Sequence, residues 1–246
     1  MAGPGVARLI TTVLALLVTP QLAMAQAFWI DYGWNVKPKD EARFMAAVER
    51  FTASDVFASF PGKMWFNAHV ANGPDSTTHS FAVVYDDVSQ FESFSAQLQG
   101  TKEWDRFRKA LNATGTPTNE TIYNHVIGFG DHPKDKTAFI GTAMQVSNPA
   151  GYVGALKDLV QIDTMSTLPG SLDIWAVMAG GAPGVTHTVV FGYDRFSEGQ
   201  AFLREAVKDP VYVKKLTALG NYRTLLPSLW VNTPKKYGTA ELSNMR

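Results

Sequence analysis

Hydrophobic and polar residues alternate along several short stretches of the chain, and this alternation predicts β-strands. In the stretch Met64–Ala71, one face is apolar throughout, whereas the other carries Trp65, Asn67 and His69. A strand of this kind suits a sheet that helices cover on one side and that borders a more polar space on the other. The alternation therefore predicts a layered structure of helices and strands, with side chains of mixed character on the uncovered face.

The pattern occurs twice, because the chain contains an internal duplication. When residues 60–111 are shifted by 108 positions onto residues 168–219, 13 of the 52 positions are identical without a gap. Unrelated sequences match at roughly one position in fifteen. The identical pairs include His79 and His187. A duplication of this length predicts two copies of one structural unit.

Each copy contains strands and helices in the order β-α-β-β-α-β, which is that of a ferredoxin-like unit. The i, i+4, i+7 spacing of Phe44, Val48 and Phe51 predicts one apolar face on the first helix. The predicted strands cover residues 28–36, 64–71, 78–86 and 121–127, and, in the second copy, 138–146, 172–179, 186–194 and 229–231. One such sheet leaves a face uncovered, and two sheets can bury these faces against each other. We therefore predict an α+β fold in which two tandem ferredoxin-like repeats form one pseudo-symmetric α/β barrel.

The same pattern sets the expected domain boundaries. The first repeat is expected over residues 26–130 and the second over residues 137–233, joined by a turn-rich linker at residues 131–136. Residues 234–246 lack apolar periodicity, so an exposed C-terminal tail is expected there.

The first 25 residues have the pattern of a signal peptide. Arg8 precedes an apolar run over residues 9–18, and the segment Ala23–Ala25 fits the small-x-small rule for cleavage. The run is short for a bilayer span, and a membrane anchor or a buried helix are the alternatives. We therefore expect a mature chain that begins at Gln26 and is exported, periplasmic or secreted, without membrane contact after cleavage.

Composition excludes several classes of site. The chain has no cysteine, which excludes disulfides, thiolate metal sites and cysteine nucleophiles. Its 22 basic and 22 acidic residues give a formal net charge of zero without an evident Lys/Arg cluster, so a nucleic-acid partner is not expected. No metalloprotease, P-loop or dinucleotide-binding motif occurs, and neither a metal nor a bound cofactor is predicted. Asn112 and Asn119 stand in glycosylation sequons, which matter only in a host that glycosylates exported proteins.

The second helix of each repeat is split, with openings at Thr101–Arg108 and Asp209–Tyr212. With this feature and the element order over Phe28–Asn232, the chain resembles the dimeric α/β-barrel superfamily in its tandem single-chain form. Within that superfamily it looks like the antibiotic-biosynthesis-monooxygenase and stress-response groups. The resemblance implies a cofactor-independent, monooxygenase-like reaction on a small aromatic or apolar molecule in the barrel, or simple binding of such a molecule. It leaves open whether the chain is a monomer or a homodimer.

The mixed face of the second strand carries the candidate site. His69 is the predicted base, Asn67 is expected to orient the substrate or stabilise an oxyanion, and Trp65 is expected to line the site. Trp175 joins them from the second repeat. The counterpart of His69 is Val177, and such asymmetry is expected when one half is functional and the other structural. An exposed sheet edge is the alternative interpretation of this face.

A second set of candidates consists of residues that both repeats share. His79 and His187 occupy equivalent positions. They represent either a base or ligand that faces the barrel interior, or a structural hydrogen bond to a neighbouring loop. Tyr85 and Tyr193 follow on the same strand faces and are most simply core aromatics with a polar tip. All four residues are counted as substrate-binding candidates.

Two further functions remain open. In the first, the protein's own aromatic side chains fill the barrel, which would give a non-enzymatic exported structural or stress protein. The side chains concerned are Phe28, Trp34, Phe66, Phe81 and Phe191. The second function is haem binding, which the resemblance leaves open because some relatives of this fold bind haem. The proximal ligand would then be His69, His79 or His187.

Overall fold

The structure is a computed structural model that describes residues 26–245, so the predicted signal peptide lies outside the described residues. The strands are β1 Phe28–Val36, β2 Lys63–Ala71, β3 His79–Tyr85, β4 Gly115–Gly130, β5 Ala138–Val146, β6 Ser171–Gly180, β7 His187–Tyr193 and β8 Arg223–Tyr237. The helices are α1 Glu41–Thr52, α2 Asp55–Ala58, α3 Val88–Leu98, α4 Lys102–Thr114, α5 Pro149–Val160, α6 Phe196–Ala206 and α7 Pro210–Ala218. Short 3-10 turns connect several of these elements. None of the described helices is long and apolar enough to span a bilayer.

The eight strands form a closed antiparallel barrel in the order β1-β3-β2-β8-β5-β7-β6-β4. Each repeat supplies four adjacent strands, and the two repeats meet at two seams. At one seam β2 pairs with β8, so that Ala68 lies opposite Asn232. At the other seam β4 pairs with β6, so that Asn124 lies opposite Ala176. The α+β fold class and the two tandem ferredoxin-like repeats are confirmed.

Strands β4 and β8 begin several residues earlier than the sequence pattern predicts. The early part of each contains a proline, Pro117 in β4 and Pro227 in β8, which argues against a central strand. In the structure this part pairs on one side only: β4 pairs with β6 from Thr121 onward, and β8 pairs with β2 from Trp230 onward. Because proline is tolerated where one side of a strand is unpaired, both strands extend through it.

Two apolar cores lie between the outer face of the barrel and the helices, one in each repeat. In the first core Phe44 of α1 stacks on Phe81 of β3, with ring centroids 5.9 Å apart. All five aromatic side chains that were candidates for filling the barrel belong to these outer cores: Phe28, Trp34, Phe66, Phe81 and Phe191. The prediction of a barrel packed by these residues is therefore wrong, because strand alternation turns them toward the helices.

A third apolar cluster lies inside the barrel and includes the C-terminal residues. Leu242 is 0 % exposed and Met245 is 2 % exposed, and both belong to the cluster that contains Trp65 and Trp175. We call residues 238–245 the C-terminal cap, because they pack against the end of the barrel where β1 begins. The expectation of an exposed tail is wrong: two apolar side chains in an otherwise polar segment are enough to anchor it.

Candidate functional site

The barrel encloses a cavity of about 610 Å³ that opens at the end opposite the C-terminal cap. The loops 72–76 and 181–185 form the mouth of this cavity, and residues of both loops line it. An eight-stranded barrel has an interior just wide enough for packed side chains or for one small ligand. Because the large aromatic residues mostly face outward, this barrel keeps room for a ligand.

The predicted residues on the mixed face of β2 line this cavity together. Trp65, Asn67 and His69 alternate along β2, and Trp175 faces them from β6. The exposed-edge interpretation of this face does not apply, because the barrel is closed and the face points inward. The structure thus brings together the four residues that the strand pattern and the asymmetry between the repeats had singled out.

The two symmetry-related histidines lie on the opposite, helix-covered face of the barrel. His79 stacks on Phe66 with ring centroids 5.3 Å apart, and its Nε2 lies 3.7 Å from a carboxylate oxygen of Glu41. Neither His79 nor His187 is among the residues that line the cavity. Burial lowers the pKa of both imidazoles. The barrel-interior placement of these histidines is thus corrected, because β3 and β7 alternate them onto the apolar outer face.

The two tyrosines of the shared set occupy the same outer face. Tyr85 belongs to the first outer core, where its ring meets Phe60 edge-on at 5.6 Å. Tyr193 is buried and lies parallel to Phe191 at 6.3 Å. Burial raises the pKa of Tyr193 to about 12. Neither tyrosine lines the cavity, so the structure does not join them to the site.

Both histidines take part in a repeated hydrogen-bond motif with the preceding threonine. The Nδ1 atom of His79 lies 2.9 Å from Thr78 Oγ1, and the corresponding pair in the second repeat, His187 and Thr186, has the same distance. Each threonine Oγ1 accepts a hydrogen bond from a backbone N–H of the first strand of its repeat at 2.8 Å, Val36 in one case and Val146 in the other. The motif ties the third strand of each repeat to the first.

We expect Thr78→Val and Thr186→Val each to lower the free energy of unfolding by about 1–3 kcal/mol, because a buried N–H loses its acceptor. Urea denaturation measures this loss. Thr217→Val is the matched control, because Thr217 is exposed and its hydroxyl only donates to a helix carbonyl. If all three variants lost equally little, the motif would not stabilise the fold.

Asp31 lines the cavity from β1, although it is not among the residues predicted from the sequence. Burial raises the pKa of Asp31 to about 7, and Asp75 adds to the rise, whereas the Ser80 side chain opposes it. A signal for Asp31 exists in the sequence, since the alternation of β1 puts it on the face opposite Phe28 and Ile30. Its counterpart in the second repeat is Phe139, so the acid belongs to one half of the barrel only.

A hydrogen-bonded chain of buried side chains ends beside Asp31. The Thr233 hydroxyl donates to Asn67 Oδ1 at 2.6 Å. The Asn67 amide Nδ2 in turn donates to Ser80 Oγ at 3.5 Å. Thr233 lies on β8 and Asn67 on β2, so the chain crosses a seam between the repeats. Since the Asn67 carbonyl already accepts from Thr233, its amide is held in one orientation by protein groups.

His69 is held as a neutral imidazole. Asn72 Nδ2 donates to the carbonyl of Thr77 at 2.6 Å, which fixes the orientation of the amide, and it also lies 3.4 Å from His69 Nδ1. His69 Nδ1 must therefore accept, and Nε2 carries the proton. Burial lowers the pKa of His69 to about 4. Such an imidazole is a hydrogen-bond donor near neutral pH and a weaker base than the predicted role requires.

No family model matches the chain, and none of the curated proteins matches it. Its fold does match solved structures. A putative monooxygenase from Fusobacterium nucleatum is 13 % identical, with a TM-score of 0.60 over 88 % of this chain and 96 % of the other. A putative monooxygenase from Lactobacillus acidophilus is 10 % identical, with a TM-score of 0.59 over 88 % and 97 %. An anthrone oxidase-like protein is 13 % identical, with a TM-score of 0.54 over 86 % and 92 %.

The chain has the dimeric α/β-barrel fold. It has that fold in the tandem, single-chain form, as the order of its two repeats predicts. At identities of 10–13 % the likeness concerns the fold, so what the tandem barrel does must be argued from its own cavity.

Several polar atoms that face the interior of the tandem barrel have no hydrogen-bond partner. Among the described residues, six buried side-chain atoms lack one, and four of them belong to residues that line the cavity. These four are Trp29 Nε1, Trp65 Nε1, His69 Nε2 and Asp173 Oδ2. Buried polar groups in native proteins nearly always have partners. Their clustering around one cavity indicates that a ligand with its own polar groups, or ordered water, completes these bonds.

The deep end of the cavity holds a hydrogen-bonded pair, Asp173 and His125. Asp173 Oδ1 lies 3.1 Å from His125 Nε2, and both side chains are almost fully buried. The His125 ring meets Trp175 edge-on at 4.9 Å. The pair lies at the end closed by the C-terminal cap, far from the mouth loops. Asp173 Oδ1 is therefore bound to His125, whereas Asp173 Oδ2 has no partner and remains open to a ligand.

The described residues that line the cavity include no Lys and no Arg. The ionisable members of the lining are Asp31, His69, Asp75, Tyr123 and Asp173. With a neutral imidazole and three carboxyl groups, such a cavity disfavours anionic ligands and suits neutral or cationic ones. Nor do the described residues contain a cluster of three or more His, Asp or Glu that could hold a metal ion.

These residues do not fit haem. His69 lines the cavity and could ligate iron, but His79 and His187 are packed beneath the helices. The two carboxylates of haem would enter a lining with three carboxyl groups and without a basic partner. The charge of the cavity thus opposes the haem alternative.

Proposed function

We propose that the tandem barrel binds a small aromatic molecule in its cavity and oxidises it without a bound cofactor. The observation that carries this proposal is the 610 Å³ cavity, lined by aromatic rings and by unpartnered hydrogen-bonding atoms. Trp29 stacks on Tyr123 at 4.2 Å and meets Trp175 edge-on at 5.3 Å, so flat faces and edges border the space. A cavity of this size with a few placed polar groups is typical of a small-molecule site.

The unpartnered atoms define what the ligand must offer. The indole N–H groups of Trp29 and Trp65 and the Nε2–H of His69 are donors, and they require acceptor oxygens on the ligand. Asp173 Oδ2 is an acceptor and suits a hydroxyl or amine group. The ligand is therefore a planar aromatic molecule that is neutral or cationic and carries at least one carbonyl or hydroxyl oxygen.

The oxidation is the finer part of the proposal. Two of the structural neighbours are described as putative monooxygenases, and a third as anthrone oxidase-like. A ring CH₂ group that is conjugated with a carbonyl through aromatic rings can lose a proton, and the resulting carbanion is electron-rich enough to react with dioxygen. The overall conversion, CH₂ plus O₂ to C=O plus water, balances without a further reductant. The protein would supply binding, orientation and the proton acceptor.

Anthrone is the probe with which we test the proposal, because it is flat, neutral and carries both a carbonyl and a reactive CH₂ group. We expect saturable quenching of tryptophan fluorescence when anthrone is added under anaerobic conditions. In air, we expect consumption of one O₂ per anthraquinone formed. Binding without oxygen uptake would limit the function to binding, and the absence of saturable quenching would overturn the proposal for this class of ligand.

A variant that fills the cavity sharpens the binding test. Ala82 lines the cavity from β3, and Ala82→Phe places a ring in the space that the ligand would occupy. We expect the anthrone Kd to rise at least tenfold. Ala113→Phe is the matched control, because Ala113 is exposed on α4 and does not line the cavity. Equal affinities for the two variants would place the ligand outside the barrel.

Two expectations about context belong to the same proposal. The signal-peptide pattern supports export of a chain that begins at Gln26, which N-terminal sequencing of the protein from its host would test.

Pairing of all eight strands in the barrel supports a monomer, since it removes the open sheet edges along which copies would join. Sedimentation equilibrium would separate the monomer from a homodimer.

A further inference from the structure

We propose that Asp31 is the proton acceptor of the barrel site and that Ser80, Asn67 and Thr233 position it. This inference rests on the proposed function, since it names the residue that takes the proton from the bound molecule. It differs from the sequence-based expectation, in which His69 was the base and Asn67 contacted the substrate.

The position of Asp31 in the barrel is the first support. Strand register places Asp31 of β1 beside Ala82 of β3, and Ala82 beside Trp65 of β2. The three residues thus form one row across the inner wall, with a carboxyl group and an indole on either side of a single methyl group. Neighbouring strands are about 4.8 Å apart, so the flanking Cα atoms are roughly 10 Å apart. The small side chain between them leaves a niche that a flat ligand can span.

The hydrogen-bonded series of buried side chains, Thr233, Asn67 and Ser80, is the second support. Ser80 accepts from Asn67, so its own hydroxyl proton is free to point toward Asp31. The pKa of Asp31 agrees with this arrangement, because the Ser80 side chain lowers it against the larger effect of burial. Thr233 holds Asn67 from the other repeat, and this bond joins residues 166 positions apart.

The second repeat lacks the hydrogen-bonded series of side chains, which argues against a merely architectural role for it. Shifting the numbering by 108 turns Asp31, Asn67 and Ser80 into Phe139, Trp175 and Thr188. The acid and the amide have thus become aromatic rings, although the backbone positions are equivalent. A network that only held the barrel together would be expected in both halves.

The other titratable groups that line the cavity are less suited to accept this proton. Asp173 lies at the capped end, where Oδ1 is paired with His125 and only Oδ2 is left for the ligand. The exposed Asp75 in the mouth accepts from both the N–H and the hydroxyl of Thr77, at 2.9 and 2.7 Å. His69 carries its proton on Nε2 and has a pKa near 4. Burial raises the pKa of Tyr123 to about 12, which makes its hydroxyl a donor.

The proposed step is a simple proton transfer. The C–H bond of the ring CH₂ group breaks, and an O–H bond forms on the Asp31 carboxylate. The electron pair stays on the ligand and spreads to its carbonyl oxygen as an enolate. The unpartnered indole N–H groups of Trp29 and Trp65 are donors that suit this developing negative charge.

Deuterium exchange isolates this step from oxidation. Anthrone is incubated with the protein in anaerobic D₂O, and exchange at its CH₂ group is followed by NMR while fluorescence gives its Kd. We expect the wild-type protein to accelerate exchange. We expect Asp31→Asn to lose at least a hundredfold in exchange rate, with the Kd changed less than about threefold, since general bases contribute 10²–10⁴-fold. His69→Gln and Asp173→Asn are the competing variants.

The outcomes separate the inference from the proposed function. If anthrone binds to the wild-type protein without exchange, or if Asp173→Asn or His69→Gln loses exchange while Asp31→Asn keeps it, Asp31 is not the acceptor although the binding site stands. If anthrone does not bind at all, the proposed function fails for this ligand class, and the inference fails with it.

The positioning role has its own readout, the pH at which exchange reaches half its maximum. Ser80→Ala removes the group that lowers the pKa of Asp31, so we expect this midpoint to move to higher pH. Thr188→Val changes the counterpart residue on β7 and is expected to leave the midpoint in place. Equal pH midpoints of exchange in the wild type and Ser80→Ala would show that the hydrogen-bonded side chains do not act on Asp31.

Discussion

Asp31→Asn stabilises the protein at pH 8 and leaves its stability nearly unchanged at pH 4. Folding raises the pKa of Asp31 from 3.8 to about 7, chiefly by burial. Between these two values the folded state holds a proton that the unfolded state has released, so the stability of the wild type falls as the pH rises. Asparagine does not titrate and removes this loss.

The size of the effect follows from the shift in pKa. A rise of about three pH units corresponds to about 4 kcal/mol at 1.36 kcal/mol per unit, which is the largest gain expected for the variant above pH 7. For a chain of this length such a gain raises Tm by on the order of 10 °C. Thermal unfolding of both proteins at pH 4, 6 and 8 measures it, and the difference in Tm should grow between pH 4 and 7.

Asp158→Asn serves as the control for this series, because the Asp158 side chain is 63 % exposed on α5. Its difference from the wild type should stay constant with pH. If the Asp31 series were equally flat, the carboxylate would be well hydrated inside the cavity, and the case for Asp31 as a proton acceptor would lose its electrostatic support. A residue that costs stability in this way is typical of a functional site.

The layers of the fold could be predicted from the sequence because they depend on local periodicity. Alternation on β2 separates the cavity face, with Trp65 and His69, from the face that meets the helices. The same alternation on β3 puts His79 on one face with Phe81, which belongs to an outer core. The alternation therefore predicts the outward placement of His79, whereas the symmetry between His79 and His187 carries no information about which face they occupy.

Asp31 was harder to find because β1 is nearly all apolar or aromatic, and a single acid does not interrupt the strand pattern. Its significance depends on burial and on Ser80, which are tertiary properties. The bond between Thr233 and Asn67 is less predictable still, because it requires the pairing of β2 with β8 across a seam. Pairings between distant strands leave no periodic trace in one sequence.

The C-terminal cap escaped prediction for a related reason. It is short and mostly polar, and Asp86 anchors it at the end of β3. Asn244 donates its backbone N–H to Asp86 Oδ1 at 3.1 Å and its side-chain amide to the Asp86 carbonyl at 2.9 Å. These bonds place Leu242 and Met245 against the deep end of the barrel. A helical or strand period cannot signal a segment that is held by two isolated anchor residues.

We expect Leu242→Ala to lower the free energy of unfolding by about 2–5 kcal/mol, as truncation of a fully buried leucine does. An exposed tail would give no loss, so urea denaturation distinguishes the two descriptions of this segment. Glu241→Ala is the control in the neighbouring position, because the Glu241 side chain is 76 % exposed and its truncation should leave stability nearly unchanged.

The backbone at Leu242 adds a second, less usual expectation. Leu242 has a φ of 55°, in the left-handed region that glycine adopts without a steric penalty. Leu242→Gly loses the same buried side chain as Leu242→Ala but relieves the strain, which is worth roughly 1–2 kcal/mol in an L-residue. We therefore expect the glycine variant to be at least as stable as the alanine variant, the reverse of the order at most positions. If alanine were clearly the more stable, Leu242 would not hold the conformation by which the cap turns into the barrel end.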